Sequence, residues 1–329
     1  MPAHSIPPLF AKAADLMFWF LLVLAAMIAG VWAYNFLEGE TLIRDLFDEA
    51  RLSRTDLKVL DREWAAAPAR SDCVVSLTSL PSRLPFIAMT LKSLLRQTRP
   101  PARIRLNLPA FSRREQTAYA IPDWLKDLKS VEIVPCEDYG PATKLIPSLS
   151  LPPDQKIVVV DDDRIYPANL IADLESAANA TPNAAVAFSG WVAPRDLTDR
   201  PTTLLANIAM TPPVPIRARR MRKPHAVDVL QGLSGYLVRP KFFDLAKLTD
   251  YANAPEAAFF VDDVWISARC DAPKYVIPAK RAGYPGRTRR AFYKQTSLGL
   301  INRGGGDVNK RNNTIMLRHF AGRWKVGGA

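Results

Sequence analysis

One segment fixes what the rest of the chain can become. From Leu16 to Leu37 the sequence reads LMFWFLLVLAAMIAGVWAYNFL, 22 residues without a formal charge. As a helix it would be about 33 Å long, the thickness of a bilayer's hydrocarbon core. Phe18 and Trp19 near one end, and Trp32, Tyr34 and Phe36 near the other, sit where interfacial aromatic belts form. A cleaved signal peptide is the competing account, but the run exceeds the usual apolar length, and only Lys12 precedes it as a basic residue. The expectation is a short N-terminal tail (residues 1–15), a single uncleaved transmembrane helix (16–37) and a body at the membrane. Arg44, Arg51 and Arg54 follow the span, and three basic residues against one favour a cytosolic body.

After the span, residues 38–70 carry apolar positions at helical spacing and read as an amphipathic stem. From residue 71 the chain alternates short β-rich runs with helical stretches. A short run opening at Cys73, a segment after Pro100-Pro101, Val131–Val134, KIVVVDDD (156–163) and AAVAFSG (184–190) read as strands. GPATKLIPSL (140–149) reads as the opening of a short helix, and a further helix begins at Tyr166-Pro167. Continuous apolar strands belong to parallel sheets covered on both faces, so the fold class is α/β, a Rossmann-like, mostly parallel sheet flanked by helices. Residues 71–190 form its first half and 191–329 a second, looser half. In the latter, VLQGLSGYLVRP (229–240) reads as two strand fragments around a Gly-rich bend, AFFVDDVWISARC (258–270) as a helix, and residues 281–313 as a mobile segment.

Lys and Arg number 44 against 32 acidic residues, which calls for an anionic partner such as a nucleotide or a phospholipid surface. Nucleic acid is not expected, because no recognition motif or aromatic-interleaved basic stripe accompanies the charge. The basic run between Arg217 and Lys223 reads first as a solvated loop, with phosphate contact as the alternative. Cys73, Cys136 and Cys270 are too few and too scattered for a disulfide framework or a zinc site.

The chemistry concentrates in two places. Asp161-Asp162-Asp163 follows an apolar run directly, at the sheet end where open α/β folds bind ligands. Either it is a solvated turn, or a divalent cation relieves the repulsion between the carboxylates. Asp262-Asp263 opens a helix, as an N-cap pair or as functional acids.

Taken in order, these motifs resemble the nucleotide-sugar glycosyltransferases of the A fold, in the inverting family-2-like branch, over residues 72–320. The resemblance implies an Asp-x-Asp motif in which Asp161 and Asp163 hold Mn2+ or Mg2+ and Asp162 turns toward the fold or the ribose. It implies a Gly-containing loop before the catalytic acid, here Gly232 to Gly235. Asp263 would then be the catalytic base with Asp262 beside it, and His319 would complete the metal shell. The loop after the first strand, with Thr78, Ser79, Pro81 and Arg83, would face the nucleotide, and Lys144 of the GPATK element would meet a phosphate. The implied activity is transfer of a sugar from a nucleotide-diphosphate donor to a glycan or lipid-linked acceptor in cell-envelope polysaccharide synthesis. A nucleotidyltransferase acting on a sugar phosphate, or a non-catalytic membrane-tethered binding protein, is the alternative.

Overall fold

A computed structural model describes residues 8–327, so the first part of the expected N-terminal tail lies outside the described residues. Helix α1 (Pro8–Glu38) contains the apolar run. Its stretch Asp15–Glu38 is long and apolar enough to cross a membrane by length and composition. Leu16 to Leu24, Met27, Ile28 and Trp32 leave large apolar side chains exposed along it, as the core helix of a soluble domain would not. Two further helices, α2 (Leu42–Ser53) and α3 (Leu57–Ala66), connect it to the body. Asp56 caps α3 by accepting a hydrogen bond from the Lys58 amide at 2.9 Å.

The body is built on one eight-stranded sheet. Its strands are β1 (Val74–Leu77), β2 (Arg103–Pro109), β3 (Val131–Cys136), β4 (Ile157–Val159), β5 (Ala185–Ala187), β6 (His225–Val227), β7 (Tyr236–Val238) and β8 (Lys274–Val276). They lie in the order β6-β8-β5-β7-β4-β1-β2-β3. All run one way except β6 and β7, which oppose their neighbours. β1, β4, β5 and β7 are buried throughout, which is why their sequences are continuously rather than alternately apolar.

Helices α4 (Ala88–Leu95) and α5 (Leu170–Ala180) bury Leu91, Leu94, Leu170, Ile171 and Leu174 against the sheet. The sheet is not completed within residues 71–190. β7, from the second half of the chain, is inserted antiparallel between β4 and β5, so both halves share one core. GPATKLIPSL forms two consecutive 3-10 turns, Gly140–Lys144 and Ile146–Ser150, rather than an α-helix; Pro141 and Pro147 each fall in the first turn of a segment.

The basic run is neither wholly solvated nor free for phosphates. Arg217 pairs with Glu38 at 3.2 Å. Arg219 donates to the carbonyls of Asn35 and Glu40, and the Arg220 guanidinium lies 4.3 Å from the Phe36 ring centroid. Three arginines thus grip the end of α1, while Arg222 and Lys223 stay exposed.

The stem makes a second anchorage. Arg281 is buried and reaches Asp45 and Asp48, both at 2.5 Å, and Tyr284 donates to the Asp45 carbonyl at 3.1 Å. Glu49 accepts from the amides of Arg287 and Thr288. A two-residue strand, Tyr284–Pro285, pairs antiparallel with Arg164–Ile165 directly after the aspartate triplet. Beyond it come α8 (Arg290–Gln295) and α9 (Leu298–Ile301), and then α10 (Asn312–His319).

Candidate active site

The strands deliver the site. β1 ends at Leu77 and β4 at Val159, so Thr78, Ser79 and Asp161 to Asp163 emerge side by side at the carboxyl edge of the sheet. Helix α7 (Asp262–Arg269) begins opposite them, bringing Asp262 and Asp263 to the same place. The cavity between them measures about 390 Å³. Thr78, Ser79, Arg83, Lys144, all three aspartates of the triplet, Asp262 and Asp263 line it, joined by Arg114 and Gln231.

Lys144 is the hub. Its Nζ lies 2.7 Å from Asp161 Oδ1 and 2.6 Å from Asp262 Oδ2, with Asp263 Oδ1 at 3.8 Å. The Asp262 contact is an ion pair whose angle falls short of a hydrogen bond, so that buried oxygen has a counter-charge but no donor aimed at it. Burial works against the ammonium, yet Asp161, Asp262 and Asp263 together outweigh it and hold the Lys144 pKa well above the ordinary lysine value.

The turn bearing Lys144 is fixed from beneath. Ser76 Oγ donates to the Lys144 carbonyl at 2.6 Å, and Asn107 Nδ2 donates to Ser76 Oγ and to the Thr143 carbonyl, both at 3.0 Å. These buried polar groups on β1 and β2 escaped the sequence reading; a serine and an asparagine inside otherwise apolar strands were the available signal.

The aspartates of the triplet face two ways. Asp162 is buried, accepting from Ser79 Oγ at 2.6 Å and from Arg83 at 3.0 Å, and its pKa is raised by burial and by Asp163. Asp161 and Asp163 keep 28% and 24% of their side chains open to the cavity. Burial raises the Asp161 pKa, but Lys144 overcomes this and leaves it below the ordinary value. Arg83 extends from the triplet to the far wall, donating to Thr296 Oγ1 and to the Thr296 carbonyl, each at 2.9 Å. Ser297, Leu298, Gly299 and Asn302 complete that wall, so part of residues 281–313 covers the cavity.

Asp263 sits differently. It accepts from the Gly232 amide at 3.2 Å, and burial, followed by the nearness of Asp262, pushes its pKa up to about 8. A carboxylate so poised can take up a proton near neutral pH.

Gly232 is close to its neighbours for a reason: a Cβ there would collide with Lys144 Nζ and stand 2.7 Å from Asp161 Oδ1. Gly232→Ala is therefore expected to destabilise the fold by about 1–3 kcal/mol, seen as a fall in melting temperature that Gly286→Ala, at a roomier position, does not share.

Three sequence expectations land elsewhere. Pro81 is half-buried in the turn beside the cavity rather than on its wall. Gly235, at φ +88°, closes the 3-10 turn Gly232–Ser234 against Leu170. His319 is exposed at the end of α10, edge-on to Phe320 with ring centroids 4.8 Å apart, and is not brought to the cavity. Asn313, in the first turn of that helix, is.

Among the described residues, a separate group of possible metal ligands, Asp72, Cys73 and Glu175, lies at the opposite end of β1. Lys156 already bridges its two carboxylates at 3.0 and 3.2 Å, and burial raises the Cys73 thiol to about 12.

No family model matches the sequence, and no curated protein matches it. Among solved structures, the chain is similar to TarS 1-349 of S. aureus, with a TM-score of 0.39 and 12% identity, over 76% of this chain and 71% of that one. The same protein in complex with UDP gives a TM-score of 0.38 at 12% identity and the same coverage. The mannosyltransferase PcManGT from Pyrobaculum calidifontis, in complex with GDP-Man and Mn2+, gives 0.42 at 15% identity, over 90% of this chain and 79% of that one. With TM-scores below 0.5, these likenesses decide neither fold nor activity.

Proposed function

We propose that this chain is a membrane-anchored, metal-dependent glycosyltransferase. It moves a sugar from a nucleoside-diphosphate donor to a hydroxyl of a glycan or lipid-linked acceptor, with inversion at the anomeric carbon. The observation that carries this reading is the convergence of two carboxylate pairs, Asp161 with Asp163 and Asp262 with Asp263, around one cavity and one buried lysine. The body would lie on the cytosolic side, as Arg44, Arg51 and Arg54 after the span favour.

Asp161 and Asp163 fit a hard divalent ion such as Mn2+ or Mg2+. Both open to the cavity, Asp163 has only long contacts of 3.4 Å to Arg83 and 3.6 Å to Arg164, and Asp162 between them is withdrawn. When bound, such an ion supplies positive charge against the departing diphosphate.

The protein's own groups do the rest. Thr78 and Ser79 line the wall where a nucleotide would lie, and Arg83, Arg114 and Arg164 bring guanidinium groups to the same cavity. Asp263 accepts the proton of the acceptor hydroxyl as its oxygen bonds to the anomeric carbon and the bond from that carbon to the diphosphate oxygen breaks. Lys144 holds Asp161 ionised and lies 2.6 Å from Asp262 as its counter-charge. The wall from Ser297 to Asn302 helps to keep out water, which would otherwise compete as acceptor.

The test is calorimetry and product analysis with a panel of UDP- and GDP-sugars, in Mn2+, in Mg2+ and in chelator. Donor should bind only with a divalent ion and turn over to a nucleoside diphosphate, and Asp163→Asn should weaken metal-dependent binding by roughly 10- to 100-fold or more. Release of pyrophosphate would make the chain a nucleotidyltransferase instead. Neither binding nor nucleotide release would leave the aspartates structural.

A further inference from the structure

Helix α2 is inside out. Its buried face carries Asp45 and Glu49 together with Leu52, while Ile43, Leu46, Phe47 and Ala50 form an exposed stripe at i, i+3, i+4 and i+7. Water selects the opposite arrangement. Phe47 is 72% exposed.

A second exposed stripe is tied to the same end of α1. Helix α6 (Leu204–Ala209) exposes Leu204, Leu205 and Ile208, with Leu205 at 78%. Its inner side is tied to the end of α1: Asn207 Nδ2 donates to the Leu37 carbonyl at 3.2 Å, and Arg220 bridges the Asn207 and Ile208 carbonyls, both at 2.6 Å, to the Phe36 ring. α2 is tied to the same helix end, the Leu42 amide donating to Asn35 Oδ1 at 2.7 Å. Both stripes therefore flank the point where the apolar helix leaves the body, and Arg44, Arg51 and Arg54 stand exposed along α2.

We infer that α2 and α6 form a collar that sinks into the interfacial zone of a phospholipid bilayer around the end of α1, with the arginines meeting anionic headgroups. This rests on the reading of α1 as a membrane span. Continuity with α1 selects the bilayer as occupant: a helix crossing the hydrocarbon core holds groups bonded to its last turn at headgroup depth. The basic residues beside an apolar stripe suit an anionic lipid surface. The collar would fix the body's tilt as well as its tether.

The experiment uses the full chain in proteoliposomes of phosphatidylcholine and phosphatidylglycerol. Spin labels are attached singly at Leu24→Cys, Phe47→Cys and Leu205→Cys in a Cys136→Ser background, since Cys73 and Cys270 are buried. Relaxation by oxygen, which partitions into lipid, is compared with relaxation by a water-soluble nickel chelate. All three sites should respond more to oxygen. If position 24 does so while 47 and 205 respond to nickel, the collar is overturned and the span survives. If all three respond to nickel, the span reading fails and the collar with it. Dipolar broadening between labels on different molecules at 47 or 205 would put a second copy on this face, which also overturns the proposal.

Discussion

Asp263→Asn is expected to lower the rate of sugar transfer by roughly 100- to 10,000-fold, the range over which a positioned general base acts, with donor affinity nearly unchanged. The carboxylate accepts from the Gly232 amide, from which an asparagine oxygen can still accept, and its contact with Lys144 is a long 3.8 Å. The parent protein supplies a second readout. With its pKa pushed to about 8, Asp263 is mostly protonated at pH 6, so on the proposed mechanism kcat/KM should climb with pH with its midpoint near 8, or below 8 when a divalent cation is bound at Asp161 and Asp163. A profile flat from pH 6 to 9 would remove Asp263 from this role. Stability moves the other way. The unfolded chain releases this proton near the ordinary carboxylate value, whereas the folded site holds it until about 8, so the folded state loses stability as pH rises through that window. Asn imitates the protonated form, and the variant should melt slightly above the parent at pH 8 to 9. The gain is small, because 29% of the Asp263 side chain remains open to the cavity.

Lys144→Met is expected to have the largest effect on the fold itself. It removes the one ammonium between Asp161, Asp262 and Asp263 and leaves their carboxylates facing one another with little water between. Breaking a buried pair from one side costs about 3–5 kcal/mol, so chemical denaturation at pH 8 should show a loss of that order. Acid should restore part of it. The stranded carboxylates would have raised pKa values, so their contribution to stability is present at low pH and lost as pH rises, and the gap between variant and parent should narrow at pH 5. An equal gap at both values would mean that Lys144 acts through packing alone.

Much of this site was legible in the sequence. An apolar run ending in three aspartates can hardly be anything but a buried strand delivering charge to a sheet edge, and the acidic pair at the start of α7 was readable for similar reasons. Lys144 was expected to meet a phosphate, but it is buried against three carboxylates, and nothing in GPATK announces a buried lysine. Its environment is made by residues about 17 and 118 positions away, and only tertiary structure brings them together. β7 was readable as a strand and unreadable as a central antiparallel one, since three residues carry no sign of direction. His319 failed for a related reason: where α10 begins decides which of its residues meets the cavity, and its first turn presents Asn313 instead. α2 has an evident helical period, but the period does not say which face meets the body, and here the acidic face does.

The grip of Asp45, Asp48 and Glu49 on Arg281, Arg287 and Thr288 has a practical corollary for anyone preparing this protein without its apolar helix. The segment held by those acids leads, within ten residues, to Thr296, the partner of Arg83, and to the cavity wall. A fragment cut at the first strand would discard the clasp along with the tether, and its open cavity would misrepresent the native site. The smallest fragment that keeps the clasp begins at about Glu40, just before α2, and carries the exposed apolar faces of α2 and α6 with it.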